Sequence, residues 1–160
     1  MATRPLDRYS PWTVASEDVT LRTQSPRQVV DVTELLAERV RWSGVRHGLA
    51  SIQVCHTTMG VVLNENEPLL LEDALHMLDR LAPADVRYGH DDFARRTGIE
   101  PGERQNGAAH CRSLLLSASQ SVHVVDGRLH LGRWQRVMLV ELDGPQARTL
   151  SVVVLGLRHD

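Results

Sequence analysis

The fold is decided by the segment WQRVMLVEL, residues 134–142. Its middle four residues, 137–140, are all apolar, so an extended chain here would be apolar on both of its faces. Such a strand is typical of the centre of a sheet that is covered on both sides. Gln135 and Glu141 interrupt the apolar pattern. A buried carboxylate needs a partner or a metal ion, although both polar residues could also lie where the strand leaves the core.

Strand patterns lie on both sides of three helical stretches. Apolar alternation predicts strands at residues 19–24, 49–55, 59–63, 120–125, 128–131 and 148–157. Helical spacing predicts helices at residues 34–42, between the two prolines at 68 and 83, and from 106 to about 118. This order favours a single α+β domain with a mixed or mainly antiparallel sheet. We assign residues 1–18, which show no period, to an N-terminal arm or edge segment and residues 19–158 to the domain.

The composition excludes several classes of protein. The 160 residues are 42% hydrophobic, which is enough for one domain with its own core. The net charge of -2, with scattered arginines, does not indicate nucleic-acid binding. We expect a cytoplasmic protein without a membrane span, because neither a leader nor a long apolar run is present. No dinucleotide-binding motif occurs, so no nucleotide cofactor is expected.

All 18 cationic residues are arginines. The absence of lysine excludes Schiff-base and P-loop chemistry, and arginine suits binding of phosphate or carboxylate. Cys55 and Cys111 each adjoin a histidine in sequence. Neighbouring side chains diverge on a strand and on a helix, so a Cys/His nucleophile pair is not expected.

His56 follows the predicted strand 49–55. Period two places it on the same face as Ala50, Ile52 and Val54. Thr57 and Thr58 follow it, and the polar run Asn64-Glu65-Asn66-Glu67 comes shortly after. An imidazole near hydroxyls and carboxylates could bind a metal ion or transfer a proton. The alternative is a core histidine that a backbone carbonyl satisfies.

His110 lies in the first turn of the third predicted helix, which Asn106 would cap. The positive end of the helix dipole disfavours imidazolium there, so we expect a neutral histidine. The same helix end could hold a phosphate oxygen with help from Arg104 or Arg112. The alternative is a histidine that only packs over Leu114.

His90 belongs to the loop cluster Tyr88-Gly89-His90-Asp91-Asp92. The two carboxylates could ligate a metal ion or orient the imidazole. The alternative is the polarity of an ordinary solvated loop.

Several runs together resemble the YjbQ family, often labelled secondary thiamine-phosphate synthase. The resemblance covers about residues 19–157 and depends on the order of these runs: Val29–Thr33, His56-Thr57-Thr58, Asn64-Glu65-Asn66, Tyr88 with His90, Asn106 with Ala109-His110, Gly127–Gly132, Trp134-Gln135 and Asp143-Gly144-Pro145. Two positions depart from the family pattern. Arg133 replaces a small hydroxyl residue, and Gln146 replaces the arginine that usually follows Asp-Gly-Pro.

The resemblance implies an α+β fold, a homotrimer and one pocket. From it and from the residues we assign three roles. The catalytic candidates are His56, His110, Glu65 and Glu141. The substrate-binding candidates are Thr57, Asn64, Asn106, Arg112, Trp134 and Gln135. The candidate ligands of a divalent metal ion, Zn²⁺ or Mg²⁺, are His56, His90 and His110.

Three functions remain open from the sequence. The first is a metal-assisted enzyme on a phosphorylated small molecule, and the family label implies joining hydroxymethylpyrimidine diphosphate to thiazole phosphate. The second is a non-catalytic oligomer that binds a metal ion or an anionic metabolite. The third is a structural oligomer whose histidines satisfy interface hydrogen bonds.

Overall fold

The structure is a computed structural model and describes residues 12–158 of the chain. These residues include eight strands and three helices. The strands are β1 (Trp12–Arg22), β2 (Gln28–Asp31), β3 (His47–Val54), β4 (Met59–Glu65), β5 (Ser119–Val125), β6 (Arg128–Leu129), β7 (Gln135–Glu141) and β8 (Ala147–Leu157). The helices are α1 (Thr33–Ser43), α2 (Pro68–Leu81) and α3 (Gly107–Ser113). The predicted α+β class is confirmed. None of the helices within residues 12–158 has the length and apolar character needed to cross a membrane.

The strands form two sheets, and every pair of neighbours is antiparallel. The five-stranded sheet has the order β1-β8-β3-β5-β6, and the three-stranded sheet has the order β2-β7-β4. The predicted antiparallel pairing is therefore confirmed, although it is divided over two sheets. β7 is the middle strand of the small sheet, and residues 137–141 are all buried. The segment with two apolar faces is central, as its sequence indicates.

The core lies between the two sheets and is closed by α1. Every second residue of β8 from 148 to 156 is buried, so the inner face of the strand follows period two. Leu36 and Val40 bring the apolar side of α1 onto this core, where they are at most 1% exposed. Burying such a side chain contributes about 1.5–3 kcal/mol. α1 ends at Gly44, whose φ of 70° is the left-handed conformation that glycine adopts without a steric penalty.

Several predicted boundaries differ from those of the structure. β1 starts at Trp12 and pairs with β8 along its whole length, so residues 12–18 belong to the large sheet as its edge strand. Residues 12–18 are thus an edge segment, which is one of the two alternatives given for the N-terminal stretch, and residues 1–11 lie outside the described residues. α3 ends at Ser113 instead of near Ala118. The N–H groups of Leu115 and Leu116 bond three residues back in the chain, and the Ser117 carbonyl accepts from the Val61 N–H at 2.8 Å. The strand at 128–131 is also shorter, ending at Leu129.

A buried ion pair connects the end of β7 to the start of β8. Glu141 is 0% exposed and Arg148 is 2% exposed. Arg148 Nε donates to Glu141 Oε2 at 2.6 Å, and Arg148 Nη2 donates to Oε1. The hydroxyl of Thr23 and the backbone N–H groups of Leu142 and Asp143 also donate to this carboxylate, at 2.8–2.9 Å. Burial opposes ionisation of Glu141, but these hydrogen bonds outweigh it and hold the pKa of the carboxyl below its usual value.

We expect Glu141→Leu to lower the free energy of unfolding by about 3–5 kcal/mol, because it leaves Arg148 buried without its counter-ion. Urea unfolding followed by circular dichroism measures the change. Glu34→Leu is the matched control, since Glu34 pairs with Arg41 on the surface and is 76% exposed. The control should change stability by no more than about 1 kcal/mol. Equal losses in the two variants would contradict a structural role for the buried pair.

Candidate functional site

A cleft of about 530 Å³ lies where β3 ends and β8 begins. It contains four of the predicted site residues, namely His56, Thr57, Asn106 and His110. The full lining is residues 53–58, Asn106, His110, Ala118, Asp143, Gln146 and Arg148. The sequence places His56 and His110 54 residues apart, and the fold brings them to the same cleft.

A larger cavity of about 750 Å³ lies between α1 and the β5–β6 turn and holds none of the predicted site residues. All three of its arginines are exposed. Arg41 pairs with Glu34, Arg46 lies 3.7 Å from Asp126, and the third is Arg128. The cleft with the two histidines is therefore the better candidate for chemistry.

His56 is held in one tautomer by the backbone of β8. The N–H of Thr149 donates to His56 Nε2 at 2.7 Å. A backbone N–H can only donate, so Nε2 presents its lone pair and the ring proton is on Nδ1. Burial lowers the pKa of His56, and nearby Arg148 lowers it further against the opposing effect of Glu141. Neutral His56 is thus an N–H donor, with no free lone pair for the predicted metal ion.

His110 is the fourth residue of α3 and is half-buried in the cleft wall. Its ring centroid lies 4.5 Å from that of His90. Burial is the main cause that lowers the pKa of His110, and His90 adds to it, whereas Asp143 acts in the opposite direction. Burial and the neighbouring histidine thus favour the neutral state of His110 that the sequence predicts.

His90 lies behind His110 and is not part of the cleft lining. It occupies a short 3₁₀ turn at Gly89–Asp91, and its backbone carbonyl accepts from Arg96 at 3.1 Å. Its Nε2 is 3.9 Å from Glu103. Between Trp12 and Arg158, no three His, Cys, Asp or Glu side chains form a group that could hold a metal ion. The predicted three-histidine metal centre does not fit this arrangement.

Asp143 organises the polar side of the cleft. The amides of Asn106 and Gln146 donate to its Oδ2 at 2.8 and 3.1 Å, and Arg104 Nη1 donates to its backbone carbonyl at 2.8 Å. Asn106 thus reaches the cleft by binding Asp143, and it does not form the predicted side-chain cap of α3. Asp143 is not among the site residues predicted from the sequence, because Asp-Gly-Pro indicates a turn as readily as a site.

A second group of predicted site residues lies at the opposite end of the small sheet. Met59 pairs with Glu141 near the cleft, whereas Glu65 pairs with Gln135. Six residues of extended chain separate these positions by about 20 Å. Within one chain, Asn64, Glu65, Trp134 and Gln135 therefore do not reach the cleft. Trp134 is 59% exposed and stacks under Arg133, at 4.6 Å from ring centroid to guanidinium carbon.

Arg148 occupies the place in the cleft that the sequence predicted for Arg112. Arg112, a predicted substrate-binding residue, is 5% exposed and turns away from the cleft. Its Nε donates to the Ala82 carbonyl at 2.9 Å, and its Nη2 lies 3.2 Å from Asp79. Arg148, which was not predicted, lines the cleft. Its position in the buried register of β8, two residues before Leu150, is a signal that the sequence contained.

Comparison with known proteins supports the resemblance seen in the sequence. The sequence profile described as "UPF0047 protein YjbQ-like" matches residues 17–157. A UPF0047 protein of Methanothermobacter thermautotrophicus is 34% identical over 143 residues, covering 89% of this chain and 93% of that protein. The UPF0047 protein YugU of Bacillus subtilis is 33% identical over 137 residues, covering 85% and 96%.

Solved structures are similar over nearly the same length. A YbjQ-like protein of unknown function from Sulfolobus solfataricus superposes with a TM-score of 0.81 at 31% identity, covering 91% of this chain and 99% of that chain. A hypothetical protein from Aeropyrum pernix K1 gives a TM-score of 0.78 at 34% identity, covering 89% and 98%. The arrangement of strands and helices is thus shared with experimental structures.

The lowered histidine pKa values predict a loss of stability in mild acid. Between the folded pKa and the unfolded value of about 6.5, the unfolded chain binds more protons, so the free energy of unfolding falls as the pH falls. This stability is fully present above pH 6.5. Glu141 acts in the same direction, but only below its ordinary value of 4.5. Thermal unfolding followed between about pH 7.5 and 5 isolates the histidine contribution.

The variant His56→Gln/His110→Gln should show a flatter dependence of melting temperature on pH over that range. His76→Gln/His130→Gln is the control, because both residues are exposed. It should keep the wild-type slope. A wild-type slope in the first variant would show that the cleft histidines are not the groups that titrate.

Proposed function

This chain belongs to the YjbQ family, and from its cleft we propose that it is an enzyme that acts on a phosphorylated small molecule, with His110 as the proton-transfer group. The observation that carries the proposal is the position of His110 in the cleft, with His90 packed behind it. A histidine with a lowered pKa is neutral near pH 7 and can accept a proton from a bound molecule. The cytoplasm, inferred from the sequence, is the compartment that we propose for it.

The class of substrate follows from the donors in the cleft. Arg148 and the Nδ1–H of His56 can donate to anionic oxygens, whereas the carboxylate of Asp143 is already occupied by Asn106 and Gln146. Charge-assisted hydrogen bonds of this kind favour phosphate groups. A cleft of this size can hold a small metabolite.

The specific reaction that we propose is the one that the family label names. The thiazole nitrogen would form a bond to the methylene carbon of hydroxymethylpyrimidine diphosphate as the bond from that carbon to the diphosphate oxygen breaks. Diphosphate leaves with the electron pair, and His110 would accept a proton from the amino group of the pyrimidine as it leaves and return that proton once the thiazole nitrogen has bonded. The step therefore needs no net proton, oxidant or reductant. The donors in the cleft would stabilise the negative charge that develops on the leaving group.

Among residues 12–158 the three histidines do not form a site for the predicted divalent ion, and we assign it no step. Mg²⁺ commonly binds through substrate phosphates and only one or two carboxylates, so it could enter with a diphosphate. The activity assay therefore includes samples with Mg²⁺, with Zn²⁺ and with a chelator. Dependence on an added ion would support the metal-assisted form of the proposal.

Purified protein with hydroxymethylpyrimidine diphosphate and thiazole phosphate should form thiamine phosphate. His110→Gln should lower kcat by about 10²–10⁴-fold, the usual contribution of a general acid or base. His76→Gln is the control and should keep wild-type turnover, because His76 is exposed on α2. Product detected by chromatography gives both rates. Folded protein that forms no thiamine phosphate above the buffer level would exclude this reaction.

A second candidate is a non-catalytic oligomer that binds an anionic metabolite in the same cleft. The observation that favours an oligomer is a group of exposed leucines on and next to α2 and α3: Leu69, Leu81, Leu114 and Leu115 are 55–83% exposed. Exposed apolar groups of this kind often mark an interface between chains. For Glu65 or Trp134 to act at a cleft, a neighbouring chain must contribute them. We propose the homotrimer that the family resemblance implies.

Light scattering should give a mass of three chains of 17.9 kDa each. Leu114→Glu places a charge at the most exposed of these leucines and should reduce the mass. Val14→Glu is the control, since Val14 is 57% exposed on β1, away from α2 and α3. A monomer mass for the wild-type protein would contradict the trimer.

A further inference from the structure

Arg148 has one nitrogen that the protein does not use. Nε and Nη2 are both bound to Glu141, and Nη2 also donates to Thr58 Oγ1 at 3.1 Å. No acceptor in residues 12–158 is hydrogen-bonded to Nη1. Among the fully buried side-chain atoms in this range, only Asp79 Oδ1 and Asn106 Oδ1 lack a hydrogen-bond partner, so Nη1 of Arg148 retains some exposed surface. Arg148 lines the cleft. Two N–H groups of a buried guanidinium are thus available there.

The negative charge of Glu141 could be stabilised by an arginine that does not line the cleft. The carboxylate already accepts from Thr23 and from two backbone N–H groups. Glu141 in turn fixes the guanidinium through two nitrogens, which removes most of the conformational freedom of a long side chain. A ligand that binds Nη1 therefore does not have to order the arginine first.

The next residue of β8 fixes a second donor in the same cleft. The backbone N–H of Thr149 holds His56 Nε2, so the ring proton is on Nδ1. Within the described part of the chain, Nδ1 of His56 has no hydrogen-bond partner. The start of β8 thereby fixes both donors, Arg148 by its side chain and His56 through the adjacent backbone.

The acidic side chains around these donors are compensated. Glu141 is bound to Arg148 itself. Asp143 accepts from Asn106 and Gln146, and Arg104 Nε lies 3.4 Å from its Oδ1. Neither carboxylate therefore leaves an unbalanced negative charge in the cleft.

From these contacts we infer that Arg148 Nη1 and His56 Nδ1 form an anion subsite, which binds the phosphate or diphosphate group of the substrate. The inference rests on the proposed function and extends it by naming the residues that hold the anion. Neither Arg112 nor the end of α3, which the sequence suggested, has this role. His110, which also lines the cleft, would then face the rest of the substrate.

The test is calorimetric titration with inorganic pyrophosphate. Arg148→Gln combined with Glu141→Gln removes both charges of the buried pair, so no single charge is left buried. The dissociation constant of pyrophosphate from this variant should be at least about tenfold higher than from the wild type, because a charge-assisted hydrogen bond is lost. The matched control is Arg112→Gln combined with Asp79→Asn, which removes the other buried arginine and its acidic partner. It should bind pyrophosphate as the wild type does.

Arg148→Lys provides a second variant in case the first does not fold. The lysine keeps the positive charge beside Glu141 but has no second nitrogen for the cleft, so its binding should weaken as well. In the wild type, pyrophosphate should also slow alkylation of Cys55, which lines the cleft, without affecting Cys111, which does not.

The outcomes separate this inference from the proposed function. Wild-type protein that binds no pyrophosphate, or Arg148 variants that bind it as tightly as wild type, would overturn the subsite. His110→Gln should bind pyrophosphate normally, even though it loses turnover. Absence of turnover with intact, Arg148-dependent pyrophosphate binding would remove the reaction and support the subsite.

Discussion

The buried pair of Glu141 and Arg148 is the interaction on which the remaining structure depends. Glu141 ends β7 and lies opposite Met59 of β4 and Gln28 of β2, so it belongs to the small sheet. Arg148 is the second residue of β8 and lies opposite Leu21 of β1, in the large sheet. The two charges therefore connect the sheets at one end, and the cleft opens at that end. Stability and the proposed chemistry depend on the same contact.

Joining two sheets by a buried ion pair carries a large desolvation free energy. Desolvation of two buried charges can exceed their attraction, and apolar residues of similar volume often stabilise a core as well or better. The pair at 141 and 148 has an additional property, because it fixes a guanidinium with one nitrogen directed to a cleft. An apolar replacement would preserve the packing but not this donor. Under the proposed function, the charge at this position is explained by binding more than by stability.

Local periodicity was sufficient to predict most of the fold. The central strand, the buried face of Ala50, Ile52 and Val54, and the end of α1 before Gly44 all follow from residue spacing. The candidate site was predicted only in part, because it depends on directions that spacing does not give. Asn64 and Glu65 are near His56 in sequence, but β4 carries them about 20 Å away. The direction of Arg112 is set by Asp79 on another helix, which no local pattern reveals.

The three histidines show why convergence alone does not define a metal site. His56 gives its lone pair to the backbone of β8, and His90 packs on His110 from outside the cleft. The position of His90 lowers the pKa of His110 and so favours a neutral ring in the cleft. His56 is thereby suited to donate a hydrogen bond, and His110 is suited to accept a proton. His90 contributes by lowering the pKa of His110. This division of roles fits proton transfer beside a bound anion better than joint ligation of one ion.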